Sequence, residues 1–416
     1  MKPLRYKTNL AQLIVLMFFI FIPIDMANGV LMRSGFPSIS IVYKIFVMAT
    51  IVLFFKNGIQ WLVTFIMVFL STLFVTISIY NDSSAFFSPD SIIKFFSIIV
   101  FYIFYVELIK DGKSELVLSI VKASFFFLII NSAIGFFGFG YPMYTVSDEV
   151  SVGSRGLIYA GNELGVALIV SGAMMMMYYI YRGCYAVFFL IVVAMLFASA
   201  IMTSKVSIMG TLILTLFFLV IRTFQVIENL RLPKKDFYRL SFVFFTAIVL
   251  SYSSVFYALY ELNLLPRMQY YFDKYDFLTF ILSGRNVRVV DGMNVYLTDY
   301  SLIEILFGSI EKHVSTEIDF FDFLFSYGIV GAFLSYGSFI LFLAYFIFFT
   351  NGGFKKYLTF SLLLLIFISL TSGHVLNSGT AGFLIAALMS FSHFKIHDSG
   401  LRNAPQVKDC NPGYSS

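Results

Sequence analysis

Runs of roughly 17–25 apolar residues recur from one end of this chain to the other, each long enough to cross about 30 Å of hydrocarbon. Backbone N–H and C=O groups find no water partners in lipid, so runs of this length must be helical. The alternating pattern of a membrane β-barrel is absent. Only 12% of the 416 residues are charged, against roughly 25% in soluble domains. The chain therefore reads as an all-α polytopic membrane protein. About twelve spans are expected, over 10–27, 36–55, 59–80, 91–109, 116–138, 159–181, 185–203, 206–223, 240–261, 324–349, 357–373 and 375–392. The division that follows is helices 1–9 over 1–262, a large polar loop over 263–323, helices 10–12 over 324–392 and a polar tail over 393–416.

Charge fixes the expected orientation. With the N-terminus inside, the cytoplasmic segments hold roughly twice as many lysines and arginines as the external ones, which matches the positive-inside rule. Both termini are thus expected in the cytoplasm and the polar loop outside it. The first apolar run lacks a small-x-small cleavage site and reads as an uncleaved helix. Lys44, Lys94 and Lys122 fall within spans. The formal charge of +5 comes mainly from loop residues that set orientation and does not suggest nucleic acid. The two cysteines have neither metal nor redox spacing, and no zinc-type spacing or nucleotide-type glycine loop occurs, so neither a metal nor a cofactor is called for.

Three polar clusters could carry chemistry. In the segment Ser147–Gly165, Arg155 stands among glycines, with Asn162 and Glu163 at the expected membrane surface. Polar groups there are costly unless paired; an arginine snorkelling to headgroups is the plainer reading. In Ser283–Arg288, Arg285 and Arg288 are three apart and share one face of a helix. Two planar guanidinium forks suit a phosphate or diphosphate; loop arginines answering Asp273, Asp276 or Asp291 are the alternative. Before the tenth expected span come His313, Glu317, Asp319 and Asp322. Acidic groups at a helix N-terminus are favoured by its dipole. A carboxylate half-buried among phenylalanines can also have a raised pKa and serve as a general base. Asp319 and Asp322 align on one helical face; Glu317 does not join them. A fourth, weaker cluster is Ser372–Gly382, where His374 and Asn377 could line a site and a tight hairpin is the plainer account.

The order of these elements, with the short motifs Ser283-Gly284-Arg285, Leu306-Phe307-Gly308 and Tyr327–Gly331 (YGIVG), resembles the O-antigen polymerase and O-antigen ligase superfamily of bacterial envelope glycosyltransferases. The resemblance implies a GT-C-like inner-membrane enzyme with a large periplasmic loop between helices 9 and 10. It implies metal-independent transfer of a glycan from undecaprenyl pyrophosphate, with membrane lipid and a chain-length regulator as further partners. Arg155, Arg285 and Arg288 would hold the pyrophosphate. Ligases of the family tend to carry a His-Asn pair fourteen residues before the second glycine of the closing Gly-x-x-Gly. Counting back from Gly331, this chain has Glu317 there. That points to the polymerase branch, with Glu317 as the base, Asp319 or His313 in support, and Asn162, Glu163, Asp322 and His374 as secondary candidates. A ligase acting on lipid A–core is the alternative within the class. A polysaccharide-unit flippase is the alternative outside it.

Overall fold

The computed structural model describes residues 3–81, 90–145, 151–228, 242, 246, 249, 276, 279, 282–309, 312, 314–349, 354–373, 375–376 and 378–393. The expected span over 240–261, His313, His374, Asn377 and the tail beyond 393 lie outside the described residues, apart from single helical positions at 242, 246 and 249.

The chain is mostly helical. Helices α1 (Pro3–Phe19), α2 (Phe21–Arg33), α3 (Ile39–Phe54), α4 (Gly58–Asn81), α5 (Asp90–Lys110) and α6 (Ser114–Phe136) come first. A two-stranded antiparallel hairpin follows, β1 (Pro142–Thr145) and β2 (Ser151–Ser154). Then come α7 (Gly161–Tyr181), α8 (Tyr185–Met202) and α9 (Lys205–Glu228). The polar segment contributes α10 (Arg285–Thr298) and α11 (Leu302–Phe307). The chain closes with α12 (Asp319–Ala332), a π-helical turn (Phe333–Gly337), α13 (Ser338–Phe349), α14 (Lys355–Thr371) and α15 (Gly382–Ser390).

Among the described residues, four helices are long and apolar enough to cross a membrane: Ser114–Phe136, Glu163–Tyr181, Tyr185–Met202 and Lys205–Phe224. A fifth is added if Leu10–Phe19 and Phe21–Arg33, bent by 50°, form one broken span. Twelve uninterrupted spans are therefore not what these residues form. The first expected span breaks at Ile20 because Pro23, three residues on, lacks an N–H and crowds the carbonyl of the preceding turn. The tenth is broken by Gly328, whose φ of 65° and ψ of −171° are not helical, and by the π turn after it. The twelfth begins as irregular chain, and α15 at nine residues reaches only about 14 Å. The hairpin is a departure from an all-α reading, since the glycine-rich stretch before α7 was expected to be loop. Its register pairs Tyr144 with Val152 and Pro142 with Ser154.

Helix α7 lies at the centre of the bundle. Met174, Met176 and Met177 are fully buried there, filling space between neighbours with an unbranched, adaptable side chain. A second focus of packing is aromatic: Phe21 and Phe383 lie 4.3 Å apart, and Phe18 meets Phe101 edge-on at 5.2 Å. The first contact docks α15 onto α2 and the second joins α1 to α5; packed on α5 as well, the short α15 is wholly buried.

Candidate functional site

The polar segment is held to the bundle through its glycines. Gly308 closes α11 with φ 86°, and a Cβ there would collide with the Ser326 carbonyl. A Cβ on Gly328 would collide with the Leu306 carbonyl in turn. Two of the motifs singled out above, LFG and YGIVG, are thus one backbone-on-backbone contact. The kink at Gly328 leaves the Phe325 carbonyl to accept from the Ser309 amide (3.2 Å) and the Tyr300 hydroxyl (3.2 Å). Tyr296, Tyr300 and Phe325 form a small apolar core beneath.

This contact fixes α10 against the chain leading into α12. Ser283 and Gly284 are both left-handed, and Arg285 opens α10 directly after them. Arg285 and Arg288 share a helical face, and neither answers Asp291: both hold Glu317. Arg285 Nη2 lies 2.9 Å from Oε2 and Arg288 Nη1 lies 2.7 Å from Oε1, so each carboxylate oxygen has its own guanidinium. Glu317 is left-handed at φ 57°, and the backbone of Gly373 lies against its carbonyl. Burial pushes the Glu317 carboxyl up, but the hydrogen bond from Arg288 and the charges of Arg285 and Arg288 outweigh it. The group is held below the usual carboxylate range. The raised pKa expected of a half-buried base is therefore absent while the arginines are in place.

The two aspartates next to it have structural partners. Asp322 Oδ1 accepts from the Thr316 amide (2.7 Å) and hydroxyl (3.0 Å), closing the turn that presents Glu317. Asp319 is fully buried, and its Oδ2 accepts from Ser369 Oγ (2.8 Å) and the amides of Val375 and Leu376 (both 2.9 Å). It anchors the irregular chain before α15, which is a different task from the catalytic support expected of it.

The same irregular chain is held by two more carboxylates. Glu163 Oε2 accepts from Ser378 Oγ and the Thr380 amide at 2.9 Å each, while Oε1 pairs with Lys94 at 3.5 Å. Asp25 pairs with Lys44 at 3.0 Å, accepts from Thr380 Oγ1 at 2.7 Å and also from Ser40 Oγ. Non-helical backbone inside an apolar bundle is tolerated only where the protein supplies its hydrogen bonds. Here Asp319 of α12 and Glu163 of α7 take its amides, and Asp25 of α2 holds it through the Thr380 hydroxyl. Asp25 has a sequence signal of its own, a lone acid in one apolar run facing a lone cation, Lys44, in the next.

Arg155 sits apart from Glu317, at the end of β2. Its Nη1 donates to the Tyr159 carbonyl at 2.6 Å, and its own carbonyl accepts from buried Asn131 Nδ2 at 3.0 Å. Asn131 Oδ1 also accepts from the Leu157 amide at 2.8 Å. Asn162 lies in the first turn of α7. Contacts chain these elements together: Gly153 of β2 lies against Thr203, and Lys205 Nζ reaches Ser283 Oγ at 3.5 Å, beside Arg285. Arg155, Lys205, Arg285, Arg288 and Glu317 thus gather at one end of the bundle. No family of proteins, curated sequence or solved structure matches the chain at a significant level.

Proposed function

We propose that the protein is a polymerase of lipid-linked polysaccharide repeat units, of an O-antigen or a related capsule or exopolysaccharide, working at the outer face of a bacterial inner membrane. The observation that carries this reading is the Arg285–Glu317–Arg288 cluster: two forked cations and one carboxylate, beside helices suited to a lipid environment. The donor is a glycan on undecaprenyl pyrophosphate, and its diphosphate competes with Glu317 for the two guanidinium groups. Once they turn to the diphosphate, Glu317 loses the charges that kept its pKa low and becomes a competent base. An acceptor sugar hydroxyl then attacks the anomeric carbon. The carbon–oxygen bond to the diphosphate breaks, the hydroxyl proton passes to Glu317, and undecaprenyl pyrophosphate leaves. Arg285 and Arg288 offset the negative charge that builds on the leaving group. Arg155, by the resemblance, is a further diphosphate ligand, and Asp319 keeps the chain behind Glu317 in place.

A flippase is the second reading, favoured by the Asp25–Lys44 and Lys94–Glu163 pairs inside the bundle. Those charges are paired and occupied with the Ser378–Thr380 turn, which suits a structural duty better than a transport path. Deleting the gene and resolving the surface glycan on a gel separates the outcomes. A polymerase leaves single repeat units on the core, a ligase leaves none, and a flippase strands lipid intermediates at the cytoplasmic face. Complementation with Arg285→Ala should fail to restore long chains, while Lys312→Ala, a cation of the same segment paired to Glu304 at 2.9 Å, should restore them. Equal activity of the two variants would remove Arg285 from the mechanism.

A further inference from the structure

We propose that Arg33, with Arg155 and the rings of Tyr141 and Tyr159, forms a second anion site, built for a phosphate ester or diphosphate. The geometry itself does not depend on the polymerase reading; only the choice of a lipid diphosphate as natural ligand does. Arg33 is the last residue of α2 and comes from the far end of the sequence relative to the hairpin it touches. Its guanidinium carbon stands 3.2 Å over the Tyr141 ring and 5.5 Å from that of Tyr159. The Arg155 guanidinium carbon stands 5.7 Å from the same Tyr159 ring. Two arginines therefore converge on one aromatic wall.

Among the described residues, no carboxylate lies within ion-pair distance of Arg33 or Arg155. Arg33 Nη1 makes only long contacts to the carbonyls of Leu157 (3.4 Å) and Gly29 (3.5 Å). The Arg33 side chain also bonds that of Tyr141, while Arg33 Nη2 and Arg155 Nε are buried with no hydrogen-bond partner among the described residues. Orphaned buried donors are rare and call for a third party. Like charges held together also repel unless something negative stands between them. A guanidinium stacked on a tyrosine face keeps its N–H edge free, in the plane that a phosphate's oxygens can meet in pairs.

The site is held from behind as a unit. Asn131 is fully buried on α6 and bonds both the Arg155 carbonyl and the Leu157 amide. The Leu157 carbonyl faces Arg33, and a Cβ on Gly29 would strike that same carbonyl, so α2 can approach only because residue 29 is glycine. One side chain thus sets the loop from which both arginines take their positions.

The ligand chemistry has two possible sources, a lipid-linked diphosphate and a bilayer phospholipid headgroup. The test uses the full chain in detergent and in nanodiscs with inorganic pyrophosphate as probe. The background carries Arg285→Ala and Arg288→Ala, so the Glu317 cluster does not contribute. Adding Arg33→Ala should weaken the remaining pyrophosphate binding about tenfold or more, and Arg155→Ala likewise, while Arg33→Lys keeps the charge, loses the fork and falls between. Arg33-dependent retention of phosphatidylglycerol in nanodiscs, undisplaced by pyrophosphate, would uphold the site and name the headgroup as its ligand. If Arg33→Lys, folded as judged by its melting curve, binds both probes as its parent does, the site is overturned. Should Arg33→Ala fail to fold, the lysine variant decides alone. Deletion giving no loss of long surface chains would sink the polymerase reading and leave this binding result standing.

Discussion

Glu317 combines two properties that pull against each other. Its carboxylate is held by Arg285 and Arg288, which favours the charged form, and its backbone is left-handed, which costs a non-glycine residue on the order of 1 kcal/mol or more. A residue kept in such a conformation belongs to surroundings that over-determine it, here Asp322 on the Thr316 side and the Gly373 backbone on the other. The ionic contacts set a pH dependence with a definite sign. Burial raises the Glu317 carboxyl but the arginines lower it further, so its folded-state pKa lies below that of the unfolded chain. The stabilisation it gives is complete above the unfolded value of about 4.3 and is lost as pH falls through the lower, folded value. The melting temperature of the purified chain should drop as the pH falls below about 4.3, and Glu317→Gln should remove part of that drop. An unchanged acid limb in the variant would show that the cluster adds nothing to stability. On the proposed polymerase reading a bound diphosphate would draw the arginines away, so the acid limb of kcat should lie at higher pH than that of kcat/KM.

The elements show how a broken helix becomes useful. An unbroken α12 would have no free carbonyl at Phe325 and no gap for the end of α11. Gly328 supplies both, and Gly308 supplies the matching gap from the other side. Gly328→Ala adds a Cβ where Leu306 already stands and asks alanine to take φ 65°. We expect a loss of about 3 kcal/mol or more, from strain and overpacking together, read as a lower melting temperature and a shift of α10 relative to Glu317. Tyr300→Phe, which removes only the hydroxyl bonded to the Phe325 and Ser309 carbonyls, should lose about 1–2 kcal/mol. Equal effects of the two would mean that the kink is not what locks the polar segment in place. The irregular chain before α15 follows the same logic with side chains instead of glycine: Asp319 and Glu163 take amides that a helix would have satisfied internally, and Asp25 takes the Thr380 hydroxyl.

Taken whole, the bundle has two unlike ends. At one, Arg33 and Arg155 lack carboxylate partners among the described residues, and Arg285 and Arg288 share one. At the other, cations stand beside acids, with Lys56 at 3.3 Å from Asp111 and Arg182 at 3.9 Å from Glu115. An end where arginines lack acids among the described residues suits an anionic substrate, and the positive-inside rule leads us to expect that end outside the cytoplasm. Single cysteines can test this in a chain whose native cysteines are changed to serine. Phe139→Cys, near the hairpin, should react with a membrane-impermeant maleimide in spheroplasts, and Asn57→Cys, between α3 and α4, only after lysis. The opposite pattern would turn the molecule over and count against the polymerase proposed above.

Much of this was legible in the chain. The boundaries of α3 to α9 follow from apolar runs interrupted by charge or glycine, because hydrocarbon imposes helix on any such run. The alignment of Arg285 with Arg288 follows from helical spacing alone. What the sequence could not settle depends on partners distant along the chain. Glu317 was legible as a candidate but not as the residue between both arginines, since 29 and 32 residues separate it from them. The amides that Asp319 accepts from, and the rings that Arg33 meets, likewise lie far from them along the chain. The apolar pattern answers to the solvent and can be read locally. Which charges meet, and which are left for a ligand, is decided only when the helices have packed.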